Sequence, residues 1–223
     1  MKKIFFGAIL LGTFGLINVN AQEAQNNNSD RVKFGVKTSV NYFTQTGDVP
    51  EDWDYKLAPQ AGVYVNIPFG KYFAVQPELN YSRVGAKESS YAPEVELGTY
   101  FVKNTNEVVL DYITLPVMLK FYPAKGFNIE AGPQLGYNIY ARNISSTYAN
   151  TVNGSIKEEI KTDIQDDLNE LDFGVNFGLG YEVKDSGLNF GARYYLGLTN
   201  IVKESDNADI KNSGFTVGVG YSF

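Results

Sequence analysis

The sequence predicts an all-β protein, an eight-stranded antiparallel transmembrane β-barrel with short turns at one end and long loops at the other. Three observations predict this fold. Eight segments alternate apolar and polar residues with a period of two, their apolar faces carry no charge, and the connections between them alternate in length. A period of two is typical of strands with two different faces. Only helices and closed barrels pair every backbone group in lipid, so charge-free strand faces predict closure into a barrel.

The eight predicted strands follow one another along most of the chain. They cover residues 31–43, 61–67, 73–82, 113–121, 127–139, 172–183, 188–198 and 215–223. Three of them contain a proline, at Pro77, Pro116 and Pro133. Because proline has no N–H to donate, we expect bulges or local disruption of strand pairing there. The alternative fold is an antiparallel β-sandwich with one face in water.

The distribution of charge decides which strand face points inward. A soluble barrel turns its apolar face inward around a ligand. A membrane barrel turns it toward lipid, where a lysine or arginine at midplane costs about 2–4 kcal/mol. An aromatic content of 14% and a basic, apolar N-terminus favour the membrane barrel. The polar faces then enclose eight charged residues: Lys33, Lys37, Lys120, Arg193, Glu78, Glu130, Asp172 and Glu182.

We predict that six of these charges form a network that closes the lumen. Buried unpaired charges cost several kcal/mol, so a balanced set predicts mutual pairing. Lys120 and Glu130 come within diagonal cross-strand reach in a tight hairpin, and Arg193 would lie opposite Gly178. The alternative is a gated path for protons or ions. The predicted network consists of Lys37, Glu78, Lys120, Glu130, Asp172 and Arg193.

The N-terminus predicts export from the cytoplasm. Two lysines follow the first methionine, residues 4–17 carry no charge, and small residues precede a cleavage site after Ala21. This is the pattern of a secretory signal peptide, and its apolar run is shorter than the roughly 20 residues that a spanning helix needs. We predict a signal peptide over residues 1–21, a flexible leader over 22–30 and the barrel over 31–223.

The composition argues against several classes of function. The 223 residues include no histidine and no cysteine, so Ser-His-Asp sites, thiol nucleophiles, disulfides and His- or Cys-based metal sites are excluded. The net charge of −6 disfavours nucleic acid, whose binding needs a basic face. We expect no catalysis, no cofactor and no bound metal.

The last strand resembles the carboxy-terminal strand of Gram-negative outer-membrane proteins, which alternates apolar residues and ends on an aromatic. With Val75–Tyr81, Tyr112–Lys120, Ala131–Pro133 and Ala192–Tyr194, it makes the chain similar to the porin-like outer-membrane β-barrel domain family. The resemblance implies a fold like that of outer membrane proteins A and X and insertion by the barrel-assembly machinery. That machinery would read Phe215, Val217, Val219, Tyr221 and Phe223.

Location, partners and role follow as further expectations. Outer-membrane barrels have short periplasmic turns, so both termini of this chain are expected in the periplasm of a Gram-negative bacterium. We expect a monomer that contacts outer-membrane lipids, lipopolysaccharide and an extracellular or secretion-complex protein. The expected role is structural or surface interaction. A narrow solute or ion channel and an accessory component of a secretion complex are the alternatives.

The third long loop predicts a helix. Ser155 and Glu158 form a capping box, and isoleucines and leucines then recur every three or four residues. We predict an amphipathic helix outside the membrane over residues 156–171, with an acidic face. It could be a lid, a partner-binding helix, a divalent-cation surface or simply a solvated face.

Aromatic residues mark the predicted strand ends and the first loop. In that loop Trp53 stands among acidic residues, where packing against neighbouring loops is favoured over anchoring a ligand. The others are expected to form girdles at the two membrane interfaces. They are Tyr42, Phe43, Phe69, Tyr72, Phe73, Tyr81, Phe121, Tyr122, Phe127 and Tyr181.

Overall fold

A computed structural model describes residues 31–49, 53–93, 99–151, 154–203 and 208–223. The predicted signal peptide and leader therefore lie outside the described residues, and none of the described helical segments is long and apolar enough to cross a membrane. One 3-10 turn, Gln165–Asp167, is present. The ten strands are β1 Lys33–Gly47, β2 Asp54–Phe69, β3 Phe73–Val84, β4 Ala86–Pro93, β5 Thr99–Phe121, β6 Phe127–Thr151, β7 Gly154–Asp163, β8 Leu171–Glu182, β9 Leu188–Gly197 and β10 Ile210–Ser222.

Eight of the ten strands close into a ring. In the order β1, β2, β3, β5, β6, β8, β9 and β10, each strand pairs antiparallel with its two neighbours. The last strand pairs back with the first, from Gly35 opposite Ser222 to Gly47 opposite Ile210. This closure leaves no edge in the ring, as lipid requires. The predicted eight-stranded antiparallel barrel is confirmed.

The two ends of the barrel differ in the length of their connections. At the turn end, short segments join β2 to β3, β5 to β6 and β8 to β9. Longer segments join the strands at the other end, which we call the loop end. Gly35 lies opposite Ser222, so both ends of the described chain are at the turn end.

Two hairpins extend the barrel wall at the loop end. Gly85, with a φ of 147°, separates β3 from β4, and β4 pairs with the first part of β5. Strand β6 runs on to Thr151 and pairs with β7, with Ser145 opposite Ile160. Most residues of the second and third long loops expected from the sequence therefore lie in strands.

The predicted helix over residues 156–171 is wrong. A spacing of four is even, so it places Ile156 and Ile160 on one face of a strand as well as on one face of a helix. Pairing with the second half of β6 supplies the backbone hydrogen bonds that a helix would otherwise make. The dipeptide Asn153-Gly154, which is typical of turns, is a sequence feature that favours a hairpin over a helix at this point of the chain.

The outer face of the ring is apolar. Phe34 and Val217 are 62% and 61% exposed, as expected for side chains that face lipid. Aromatic rings pack together on this face, with 5.2 Å between the centroids of Phe73 and Phe121. Two residues assigned to the girdles lie elsewhere: Phe43 is buried inside the barrel, and the Tyr122 hydroxyl donates to Glu182 at 2.6 Å. Their positions in the alternation place them on the inward face.

The three prolines expected to disrupt pairing, Pro77, Pro116 and Pro133, interrupt it without shifting its register. On the seam between β2 and β3, pairing stops at Glu78 and resumes at Val75, which skips Pro77. Pro116 is skipped in the same way between β3 and β5, and Pro133 between β5 and β6. Each proline is paired on its other side, so the missing N–H affects one seam only. The expected local disruption is present, and the expected bulges are not.

A closed ring of this kind resists detergent until it is heated. We expect unheated protein in dodecyl sulfate to migrate differently from boiled protein on a gel. The physical reason is that every ring strand is paired on both sides, so unfolding must break the ring as a whole. Identical mobility of the two samples, with recovery of the protein in the soluble periplasmic fraction, would contradict the membrane barrel.

Candidate functional site

Charged side chains from five strands meet in the middle of the lumen. They come from inward-facing positions of β1, β3, β5, β6 and β9. Glu78 and Glu130 are each 4% exposed, and Lys120 is 6% exposed. We call Lys37, Glu78, Lys120, Glu130 and Arg193 the central ion cluster.

Arg193 joins the two carboxylates of the cluster. Its Nη1 and Nη2 donate to Glu78 at 2.9 and 2.7 Å, while Nε and Nη2 donate to Glu130. Two-point pairs between guanidinium and carboxylate are about twice as strong as neutral hydrogen bonds and fix geometry as well. The side chain therefore connects β9 with β3 and β6 through the lumen.

The lysines balance the remaining negative charge. Lys37 Nζ lies 2.7 Å from Glu78 Oε2. Lys120 Nζ lies 3.8 Å from Glu130 and 3.9 Å from Glu182, which is nearer the turn end. With Glu182 included, three cations face three carboxylates, so the group carries no net charge. Mutual pairing is what allows such groups to remain ionised when they are buried.

Neutral side chains provide the remaining hydrogen bonds to Glu78. The amide nitrogens of Gln76 and Asn80 donate to its two oxygens at 2.7 and 3.2 Å. Below this layer, Lys33 Nζ lies 3.6 Å from Glu182. Every carboxylate of the central ion cluster therefore accepts from more than one donor, as a buried network requires.

Gly178 provides the space that the cluster occupies. It lies opposite Arg193 on one side, as predicted, and opposite Glu130 on the other. A Cβ atom on Gly178 would come within 2.8 Å of Arg193 Cγ and 2.7 Å of the Ala192 carbonyl oxygen. Lys120 and Glu130 are directly opposite each other, one step closer than the predicted diagonal.

Asp172 does not belong to the central ion cluster. It is 5% exposed and faces the lumen nearer the loop end. Its oxygens accept from Tyr195, Thr199 and Asn212 at 3.0, 3.3 and 2.9 Å. No ion pair of Asp172 occurs within the described part of the chain. The structure thus separates one predicted member from the other five, because β8 places it three inward-facing positions above Gly178.

An apolar cluster of buried side chains lies inside the barrel at the loop end, and the alternation of the strands does not predict it. We call it the loop-end cap. Trp53 packs against it, which agrees with packing rather than ligand anchoring. Apolar residues at inward-facing strand positions, where the rest of the lumen is polar, are the sequence feature from which the cap could have been predicted. The cap consists of Phe43, Val84, Val108, Leu110, Tyr112, Ala141, Leu168, Tyr195 and Ile201.

Two loops supply Leu168 and Ile201 to the cap and hold each other in place. The Asn169 N–H donates to the Ile201 carbonyl at 2.8 Å. The Asn169 side chain donates to the carbonyls of Asn200 and Val202 at 3.0 and 2.8 Å. These bonds pair backbone groups that lie beside an apolar cluster, where leaving them unpaired would be costly.

Four of the five predicted assembly residues lie on β10, between β1 and β9, and Phe223 directly follows that strand. Of the five, four are exposed on the outer face, and Val219 is half-buried. Their reading by the assembly machinery stays a prediction. The residues are Phe215, Val217, Val219, Tyr221 and Phe223.

The closed ring with a polar lumen and apolar exterior defines the class of an integral β-barrel of the outer membrane. The family described as outer membrane protein beta-barrel domain matches residues 20–203, and the chain belongs to this family. Membership places the protein in the outer membrane of a Gram-negative bacterium. No curated protein sequence matches the chain.

Solved structures with a similar course of the chain are distant. Neisserial surface protein A is 11% identical, with a TM-score of 0.43, and the match covers 85% of this chain and 97% of the Neisserial chain. Ail of Yersinia pestis, in complex with the heparin analogue sucrose octasulfate, is 11% identical, with a TM-score of 0.38 and coverage of 86% and 97%. The protease OmpT of Escherichia coli is also 11% identical, with a TM-score of 0.36 and coverage of 90% and 99%. At these values the likeness does not extend to function.

The space beside Arg193 can be tested with two glycine variants on facing strands. We expect Gly178→Ala to lower the free energy of unfolding by about 1–3 kcal/mol, because its methyl group would overlap backbone and Arg193. Gly191→Ala is the matched control, since its Cβ would meet nothing closer than 3.7 Å. Urea unfolding in lipid vesicles measures the free energy of unfolding of both variants. Equal stability of the two variants would contradict the crowding at Gly178.

Proposed function

We propose that this protein is a closed outer-membrane barrel with a structural or surface-interaction role. The observation that carries the proposal is the central ion cluster, which joins strands across the lumen. An eight-stranded barrel has an interior only wide enough for side chains to fill. Here the filling side chains are charged but mutually paired, so opening a path would separate Arg193 from both of its carboxylates.

The contents of the lumen support two barriers in series. The central ion cluster lies in the middle, and the loop-end cap lies above it. The cavity beside the cluster, lined by Lys37, Tyr64, Asn189 and Arg193 among others, measures about 40 Å³. A space of this size accommodates two or three water molecules, and larger hydrated solutes do not fit.

The orientation follows from the connection lengths. We propose that the turn end faces the periplasm with both termini and that the loop end faces outward, as in barrels with short periplasmic turns. The outward surface then presents the two hairpins. All ten residues of β7 are exposed, which supports contact with other molecules rather than with the barrel itself.

Partners and chemistry follow from the same features. The apolar outer face is proposed to contact outer-membrane lipids and lipopolysaccharide, and β10 to be read by the barrel-assembly machinery. No catalytic role is proposed. The chain has no histidine or cysteine, and the buried charges of the central ion cluster are engaged in ion pairs. A role in a secretion complex would use the exposed hairpins.

Planar-bilayer recording tests the closed lumen. We expect the inserted wild-type protein to give no steady conductance at a holding potential where an open porin, inserted under the same conditions, gives clear steps. Protease protection of the bilayer sample shows that the barrel has inserted. Steady steps from the wild type, with ion selectivity that changes in Arg193→Gln, would contradict closure and favour the narrow channel.

A further inference from the structure

Strand β7 is an open edge at the loop end. It pairs with β6, and among the described strands none pairs with its other side. Its pairing with β6 shows no bulge, and it contains no proline. An open edge offers unpaired N–H and C=O groups to another strand, and edge strands that avoid such pairing commonly contain a bulge or a proline. The edge is therefore suited to strand addition.

The charges of β7 are complementary to those of an antiparallel second copy. When Ile160 lies opposite Ile160 of the copy, Lys161 faces Glu159 and Lys157 faces Asp163 in both directions. Directly opposite residues on antiparallel strands interact, and opposite charges stabilise the pair. Within one chain Lys161 Nζ lies 2.9 Å from Glu159, and this hydrogen bond lowers the pKa of the Glu159 carboxyl.

Neighbouring symmetric registers lack this complementarity. A two-fold axis perpendicular to the sheet passes midway between one residue of β7 and the same residue of the copy, which lie opposite each other. Centring the pair on Glu158, Glu159 or Lys161 places that charge opposite the same charge of the copy, which is destabilising. A pair centred on Thr162 overlaps only the last three residues of β7. The register centred on Ile160 is thus favoured over its neighbours.

We propose, in place of the monomer expected from the sequence, that a second copy of this chain pairs with β7, edge to edge and antiparallel, centred on Ile160. The proposal names the partner of the surface-interaction role and rests on that role. Lysines on an edge strand normally discourage pairing with other strands. In this register each lysine meets an acidic residue, so the same charges select a copy of the chain over unrelated strands.

The pairing also sets how two barrels approach each other. Strand β6 is continuous from Phe127 to Thr151, so the hairpin continues the barrel wall. A two-fold axis perpendicular to that sheet reverses the direction of the second barrel. The two copies therefore meet loop end to loop end, as molecules in facing membranes would.

Disulfide trapping tests the register directly. The chain has no cysteine, so Ile160→Cys carries a single thiol. Directly opposite Cα atoms lie about 4.5–5.5 Å apart, within the range for a disulfide. We expect the full-length variant in detergent to form a covalent dimer under mild oxidation. Glu158→Cys is the control, because its thiol would lie about 14 Å from that of the copy. No dimer at position 160, or equal dimer at both positions, would overturn the proposal.

Charge exchange separates specific pairing from random collision. In the Ile160→Cys background, Glu159→Lys alone and Lys161→Glu alone each put like charges opposite in a homodimer. A mixture of the two puts opposite charges together at both places. We expect at least fivefold less covalent dimer from each variant alone and recovery in the mixture. A mixture that performs no better than its components would overturn the pairing, while the bilayer result would still stand on its own.

Discussion

The pairing of Arg193 with Glu78 and Glu130 is the interaction on which the interior of this barrel depends. Lipid excludes charge from the outer face of the ring strands, so the charged residues in the lipid-spanning part of those strands must point inward. Once inside a narrow lumen they are buried and require partners. One guanidinium with five donors can serve two carboxylates at once, and the two lysines complete the balance. Because Gly178 has no side chain, it leaves space for the Arg193 side chain between the two carboxylates.

The layers above the central ion cluster follow from the same confinement. Asp172 sits where the lumen is still polar, among neutral donors. Nearer the loop end, the interior becomes apolar and two loops fold in to complete the cap. The hairpins beyond the cap neither face lipid nor fill the lumen. Strand β7 is paired on one side only among the strands that the structure describes, so its outer backbone edge as well as its side chains are left for contact with other molecules.

Much of the fold is predictable from the sequence because the membrane imposes a simple rule on each strand. Alternation identifies all eight ring strands, and the charged positions on their polar faces include every member of the central ion cluster. The rule has no force outside the lipid, where Ile156 and Ile160 fit a helix and a strand equally well by spacing. It also says nothing of depth along the lumen. For this reason Asp172 appears in one set with residues that lie well below it. Phe43 is assigned to a girdle only by its place at a strand end, although the alternation itself puts it on the inward face.

A double-mutant cycle between Glu78 and Arg193 tests the central interaction most directly. Glu78→Gln and Arg193→Met each leave the buried central ion cluster, counted together with Glu182, with one unbalanced charge, and each is expected to cost about 3–5 kcal/mol of unfolding free energy in lipid vesicles. The double variant removes both charges. The account predicts that it costs less than the sum of the single variants by at least about 2 kcal/mol. Costs that add within about 0.5 kcal/mol would show that the two residues do not stabilise each other and would contradict the account.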